Sequence, residues 1–496
     1  SDEGMKNIVA TIQRDQNAII RDADAKTLII QGVAGSGKTS IALHRIAFLL
    51  YRFKDTLTSN DILIISPNRV FADYIGTVLP ELGEESVPEI GMETLADQIL
   101  GDKIRFQSFF EQTAKLLETD DAGTKERIRA KAAPELIQQI ESYAQHLEKM
   151  SFQPEDLVIR KRPLPGFVFE QTWQRLRRLP LAERITTTGN EAIDAFETQY
   201  NIELRKEERA VVRKAVRGMV NRTTLRKAYK EFYDWLGRPE LFAPKGGRLE
   251  YADVFPLIYL KMLTEGVESP YEGVRHLLVD EMQDYTPVQY AVLARLFPCR
   301  KTILGDATQS VNPYSASTPE RIEAVLDGAL RVTLNKSYRS TWEIMQFALQ
   351  ISPNPDLVAM ERHGPAPDVQ VVGSRKEALA RIAAMIEEFR GSDHTTLAIL
   401  AKTQGEAKRL HKALSEAGTD ARLLEEGSAG FSTGLLVCTP HLAKGLEFDR
   451  VIVPDASAAV FSTEMDRNML YVACTRAMPR LSLVSVGPPS DFLPAS

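Results

Sequence analysis

Residues 27–50 read TLIIQGVAGSGKTSIALHRIAFLL. The stretch opens on a short apolar run, Thr27–Gln31, and closes on a longer apolar pattern with helical spacing. Between them, Gly32-Val33-Ala34-Gly35-Ser36-Gly37-Lys38-Thr39 fits G-x-x-x-x-G-K-[ST], set after a strand and before a helix as that pattern requires. Glycines there let successive backbone N–H groups turn inward around phosphate oxygens, and the helix N-terminus adds partial positive charge. In such a loop the lysine, here Lys38, reaches the β- and γ-phosphates, and the hydroxyl, here Thr39, ligates magnesium.

Outward from this loop the alternation continues. Asp61–Ser66, His276–Asp280, Lys301–Gly305, Thr396–Leu400, Leu435–Thr439 and Arg450–Pro454 are short apolar runs. Most lead into a Gly- or Pro-marked loop and then a helical pattern, the mark of α/β units with buried parallel strands. Residues 103–247 break the pattern with charged helical stretches such as ELIQQIESYAQHLEKM (135–150). Residues 201–230 carry ten Lys/Arg against three Glu, and Arg205, Arg209, Arg213 and Arg217 form one ridge at i, i+4 spacing. That ridge reads either as a solvated helix face or as a contact for a polyanion or an acidic protein surface.

The bulk numbers bound the class. A chain of 496 residues suggests roughly three domains. Hydrophobic content of 44% and charged content of 26% are ordinary globular values. Cys299, Cys438 and Cys474 lie far apart, match no metal spacing and suit a reducing, cytoplasmic setting. No apolar run approaches the ~20 residues a membrane span needs. A net charge of −6 argues against a protein that coats nucleic acid all over, yet leaves room for a local basic groove.

A second motif completes the phosphate chemistry. The run Leu277-Leu278-Val279 ends on Asp280-Glu281. An aspartate so placed can hold Mg²⁺, directly or through water, and the adjacent glutamate can polarise an attacking water. Together the two motifs point to nucleotide hydrolysis, which many families perform.

Asp280-Glu281-Met282-Gln283-Asp284 resembles the DEAQD-type box of the UvrD/Rep/PcrA-like helicases of superfamily 1, with Met282 in place of alanine. Further boxes follow in that family's order. They are Gln16 in IQRDQNAII, Gly305-Asp306-x-x-Gln309-Ser310, the NYRS-like Asn335–Ser340, the T-x-H-x-A-K-G-L-E-F-D-like Thr439–Asp449, and the YVALTRA-like Tyr471–Ala477. The resemblance implies an α/β fold with two RecA-like P-loop NTPase domains, parallel sheets flanked by helices, and ATP with Mg²⁺ in the cleft between them. Implied ATP-binding residues are Gln16, Gly32, Val33, Ala34, Gly35, Ser36, Gly37, Lys38, Thr39, Ser40, Tyr338 and Glu447, with Tyr338 near adenine and Glu447 near ribose. Thr39 and Asp280 would hold the metal. Glu281, Lys38, Gln309, Arg339 and Arg476 would be catalytic, the two arginines facing the γ-phosphate from the second domain. The expected domains are 1–102 with 248–330, the helical insert 103–247, and 331–496.

Other features narrow the resemblance. Residues 8–21, 66–85 and 248–263 are similar to the HelD family, bacterial ATPases of this class that bind RNA polymerase and help release it from stalled or terminated nucleic-acid complexes. That similarity implies a bacterial RNA polymerase core as partner, with the 103–247 insert as an arm in the polymerase channel. The chain begins shortly before Gln16, so the family's N-terminal coiled coil is expected to be missing; Ser1–Gly4 read as an expression remnant and favour truncation. Nucleic-acid features are altered. Val311-Asn312-Pro313-Tyr314-Ser315 stands where the helicases have I-Y-x-W/F-R-G, and Glu93 in Gly91–Leu95 stands where they have T-F-H-S-L. Only about 100 residues separate Arg339 from Thr439, too few for the large second insert of UvrD-like enzymes. The alternative reading is a 3′–5′ single-stranded DNA translocase or helicase of the UvrD/Rep type.

Overall fold

The computed structural model describes residues 14–67, 85–119, 121–177, 179, 181–221, 223–312, 314, 317–425, 428 and 433–494. Ser1–Gly4, residues 8–13 of the 8–21 segment, most of the 66–85 segment, Pro313 and Ser315 fall outside them. No described helix is long and apolar enough to cross a membrane.

Two compact units emerge. The larger comprises residues 1–133, 244–252 and 269–496, the smaller 134–243 and 253–268. The larger is built on two six-stranded parallel sheets. In the first, the strands run Glu89–Ile90, Ile62–Ile65, His276–Val279, Arg300–Gly305, Thr27–Gly32 and Ala329–Leu334 in spatial order. Ile62–Ile65 and His276–Val279 are buried at every position because helices cover both faces. The second sheet runs Asp368–Val372, Ala477–Val486, Phe448–Val453, Thr396–Leu400, Gly434–Cys438 and Arg422–Leu423. All its pairings are parallel.

Every apolar run read as a strand is one. Five further strands of the two sheets, Glu89–Ile90, Ala329–Leu334, Asp368–Val372, Arg422–Leu423 and Ala477–Val486, are not read from the apolar pattern. Ala329–Leu334 is largely exposed along its length and pairs at the edge with Thr27–Gly32, so the first sheet extends to Leu334 rather than stopping at 330. Asp368–Val372, also an edge strand, carries polar residues on its open side. Between Arg339 and Thr439, the helices Trp342–Ile351, Arg375–Arg390 and Gln404–Glu416 alternate with short strands, and no separate unit is divided off there.

The smaller unit is mostly helical, with one antiparallel hairpin, Leu157–Ile159 with Arg162–Leu164. Its core stacks Phe152 on Trp173 at 4.4 Å between ring centres, near Phe169 and Phe196. Residues 103–133 and 244–247, expected in the helical insert, pack with the larger unit instead. The arginine ridge is partly consumed by packing inside the smaller unit. Arg209 pairs with Glu197 at 2.9 Å, and Arg213 donates to Asn190 at 3.0 Å. This favours the solvated-face reading for those two positions.

Candidate functional site

The strand Thr27–Gly32 delivers its chain into a loop that only small residues can make. Gly35 and Gly37 sit at φ +68° and +79°, where a side chain is strained. A Cβ on Gly32 would lie 2.4 Å from Lys38 Cγ. The helix Lys38–Arg52 starts directly after Gly37 with no side-chain cap, which leaves its first N–H groups aimed at the loop. Lys38 Nζ donates to the carbonyls of Gly32 at 2.9 Å and Val33 at 3.1 Å, which folds it across the loop. Gln16 Nε2 reaches Ser36 O at 3.4 Å, and Ser36 Oγ is buried with no hydrogen-bond partner. An orphaned hydroxyl, inward N–H groups and a lysine are donors suited to a polyphosphate.

The acid pair lies at the end of the strand His276–Val279, separated from Thr27–Gly32 by Arg300–Gly305. Asp280 is buried, and its carboxyl is pushed well above the usual range, first by burial and then by Glu281, with Lys38 pulling the other way. A divalent cation would relieve that cost. No cluster of three or more His, Cys, Asp or Glu suited to a metal occurs among the described residues. A Mg²⁺ that takes most of its ligands from phosphate and water needs none. Glu281 sits at φ +51°, ψ +50°, an unusual conformation for a non-glycine residue. Gln283 Nε2 donates to its carboxylate, and Gln283 Oε1 accepts from Asp306 N at 3.0 Å. Gly305 makes this close approach possible, because a Cβ there would meet Gln283 Oε1 at 2.3 Å and Met282 N at 2.6 Å.

Asp306 organises the third strand end. It accepts from Thr308 N at 3.0 Å and from Gln309 Nε2 at 2.9 Å. Gln309 then presents its Oε1 to Arg476 Nη2. Arg476 immediately precedes the second-sheet strand Ala477–Val486, so this bond joins the two sheets. A second link is the buried pair of Lys444 with Asp284, at 2.6 and 2.7 Å to the two carboxylate oxygens. Burial raises Asp284 and Lys444 opposes it, which leaves the carboxyl at about 6. Arg339 pairs with Glu447, and Tyr338 N donates to Gly35 O at 3.0 Å, which seats the NYRS-like box against the glycine loop.

Gln16, the glycine loop with Lys38, Asp280, Glu281, Gln309, Tyr338, Arg339, Glu447 and Arg476 are thus joined by hydrogen bonds, ion pairs and charge interactions that run from the first sheet to the second. The reading of the boxes missed the Lys444–Asp284 pair. Both residues lie inside recognised boxes, but no spacing rule joins positions 160 apart.

The altered segments also acquire partners. Glu93 accepts from Phe109 N at 2.6 Å, at the N-terminus of helix Phe109–Glu118, and so serves as a helix-end anion. Tyr314 is half-buried with Lys125 and Arg129 over its ring, at 5.6 and 5.3 Å from the centre. The aromatic of the altered platform thus gains basic neighbours from helix Ala122–Lys131, a pairing the sequence reading did not find.

A glycine loop after one parallel strand, a buried acid pair after another of the same sheet, and cations from a second parallel sheet define a P-loop NTPase with two RecA-like domains. The chain belongs to the UvrD/REP helicase family. The profile of the UvrD/REP helicase N-terminal domain matches residues 12–327, and that of the UvrD-like helicase C-terminal domain matches residues 434–484. UvrD-type helicase domains are the domains of ATP-hydrolysing, helicase-family enzymes. The chain is 26% identical over 31% of its length to the ATP-dependent DNA helicase srs2 of Schizosaccharomyces pombe, covering 19% of that protein. It is 23% identical over 66% of its length to the ATP-dependent DNA helicase UvrD1 of Mycobacterium leprae, covering 37%. The chain thus spans well under half of these curated relatives. Among solved structures, the C-terminal domain of a possible DNA helicase from Lactobacillus plantarum is 34% identical, with a TM-score of 0.28, covering 32% of this chain and 91% of that one.

Proposed function

We propose that this chain is an ATP-driven motor that moves along single-stranded nucleic acid. The observation that carries it is the Gln309–Arg476 bond, which ties a strand end of one sheet to the basic edge of the other. Gln16, residues 32–40, Tyr338 and Glu447 would hold ATP; Thr39 and Asp280 would hold Mg²⁺. Bound Mg²⁺ supplies charge neutralisation on the phosphates. Glu281 orients and deprotonates the attacking water, while Lys38, Arg339 and Arg476 balance charge on the γ-phosphoryl group. Gln309 touches both the Asp306 network and Arg476, so it is placed to pass the state of the phosphate end to the second sheet. Tyr314 with Lys125 and Arg129 supplies an aromatic face and two cations for a strand.

The test is ATP turnover with and without single-stranded DNA at rising salt. The motor reading expects stimulation that falls steeply with salt. Turnover indifferent to any strand would overturn it.

A second reading is HelD-like: release of RNA polymerase from nucleic acid. It is favoured by the separate helical unit of residues 134–243 and 253–268, and by the absence of a divided-off unit between Arg339 and Thr439. Capture of this chain by bacterial core RNA polymerase at moderate salt, together with weak unwinding of a tailed duplex, would favour it. Robust unwinding without polymerase capture would remove it.

A further inference from the structure

A cavity of about 590 Å³ opens at the end of the first sheet away from the glycine loop. Lys26, His276 and Arg300 line it, and each stands at or just before the first residue of a strand. Gly32, Asp280 and Asp306 follow the opposite strand ends, roughly 20 Å away for a six-residue strand. The cavity is therefore separate from the candidate nucleotide site, within the size range of small-molecule sites.

Its lining is two-toned. Leu49, Phe53, Leu57, Val274 and Leu296 give it an apolar floor. Lys26, Arg275 and Arg300 give it a cationic rim, and Glu272 is its one acidic lining residue. None of the three cations forms an ion pair within 4.0 Å of a carboxylate among the described residues. Arg275 and Arg300 instead donate to the carbonyls of Thr56 and Ala23, which fixes each guanidinium in place without cancelling its charge. The nearby buried His276 registers the positive field. It is held down to about 3, first by burial and then by Arg45, Arg300 and Lys301. Outside the lining, Asp61 interacts with Arg275; its carboxyl is lowered first by Thr58 and least by Arg275.

We propose that this cavity binds a small organic anion with an apolar body, its carboxylate, sulfonate or phosphate seated among Lys26, Arg275 and Arg300. Fixed guanidiniums with no carboxylate within 4.0 Å among the described residues suit a bidentate anion. The floor suits an aryl or alkyl group.

Cys299 lines the cavity and is partly exposed, whereas Cys438 and Cys474 are buried. Alkylation of Cys299 by iodoacetamide in the full chain therefore reports occupancy, with the buried cysteines as internal controls. The probe is 8-anilinonaphthalene-1-sulfonate. It should slow Cys299 alkylation whether or not saturating Mg·ATP is present. N-phenyl-1-naphthylamine, which lacks the sulfonate, should need about tenfold higher concentration, the scale of one charge interaction at a partly exposed site. The Arg275→Glu/Arg300→Glu variant should show a similar loss with unchanged ATP turnover. Val274→Trp, which fills the floor, should abolish protection and serves as the second test if the charge reversals unfold the chain. Equal protection by the neutral dye, undiminished protection in either variant, or displacement by Mg·ATP would overturn the proposal.

Discussion

The nucleotide cleft and the surface around Tyr314 use cations in opposite ways. In the cleft each cation has a fixed partner: Arg476 on Gln309, Lys444 on Asp284, Arg339 on Glu447, Lys38 on loop carbonyls. Around Tyr314, Lys125 and Arg129 lie over a ring near the surface, and Arg129 reaches Glu126 at 3.7 Å on an exposed helix face. Phosphoryl transfer needs charge placed to within fractions of an ångström, so burial and hydrogen bonds hold it there. Gripping a strand of any sequence needs a π face and positive charge, which a loosely held surface supplies.

The contrast can be broken at its strongest point first. Arg476→Ala should leave nucleotide binding largely intact and lower turnover by about 10³–10⁵, the range for a transition-state arginine; steady-state turnover beside fluorescent-nucleotide binding measures both. Lys444→Met should cost about 3–5 kcal/mol at pH 8, because it strands a buried carboxylate. Its sign with pH is fixed. Asp284 is raised to about 6, so the folded state binds more protons between the unfolded carboxyl value and that point. Lys444→Met removes a group that pulls the carboxyl down, so Asp284 takes its proton at a still higher pH in the variant; the penalty therefore shrinks as pH falls from 8 towards 6, and denaturant melts across pH 5–8 would show it. A penalty that grows towards low pH would contradict the assignment.

The surface side predicts smaller effects. Tyr314→Ala should weaken single-stranded DNA binding by about 1–3 kcal/mol, and Lys125→Ala should reduce the salt slope by about one. Neither should alter basal turnover, which separates the grip from the chemistry. A last effect needs no substitution and lies in the cores. His276 and His441 are both held down to about 3 by burial first, so the unfolded state takes up protons that the folded state refuses. Their contribution is intact above the ordinary histidine value and is lost as pH falls from there towards 3, by up to about 1.4 kcal/mol per unit for each histidine. Melting curves from pH 7 to 5 would check this.

Much of this was legible because buried parallel strands must be apolar throughout, which Ile62–Ile65 and His276–Val279 are. Edge strands such as Ala329–Leu334 lack that signal because one side meets solvent. The glycine loop and acid pair were legible because backbone geometry restricts residue choice there. What spacing could not supply was pairing across the fold. Lys444 with Asp284, and Lys125 and Arg129 with Tyr314, become neighbours only through tertiary packing. The cavity beneath the first sheet was silent for the same reason, its lining being drawn from segments spread between residues 26 and 300.

The most direct test of the motor site is Glu281→Gln, with Mg·ATP affinity and single-turnover hydrolysis measured on the same preparation. The removed carboxylate is the proposed water-activating group, so ATP should bind with near-normal affinity while hydrolysis slows by at least about 10². A near-normal hydrolysis rate would remove Glu281 from the chemistry and contradict the site as assigned.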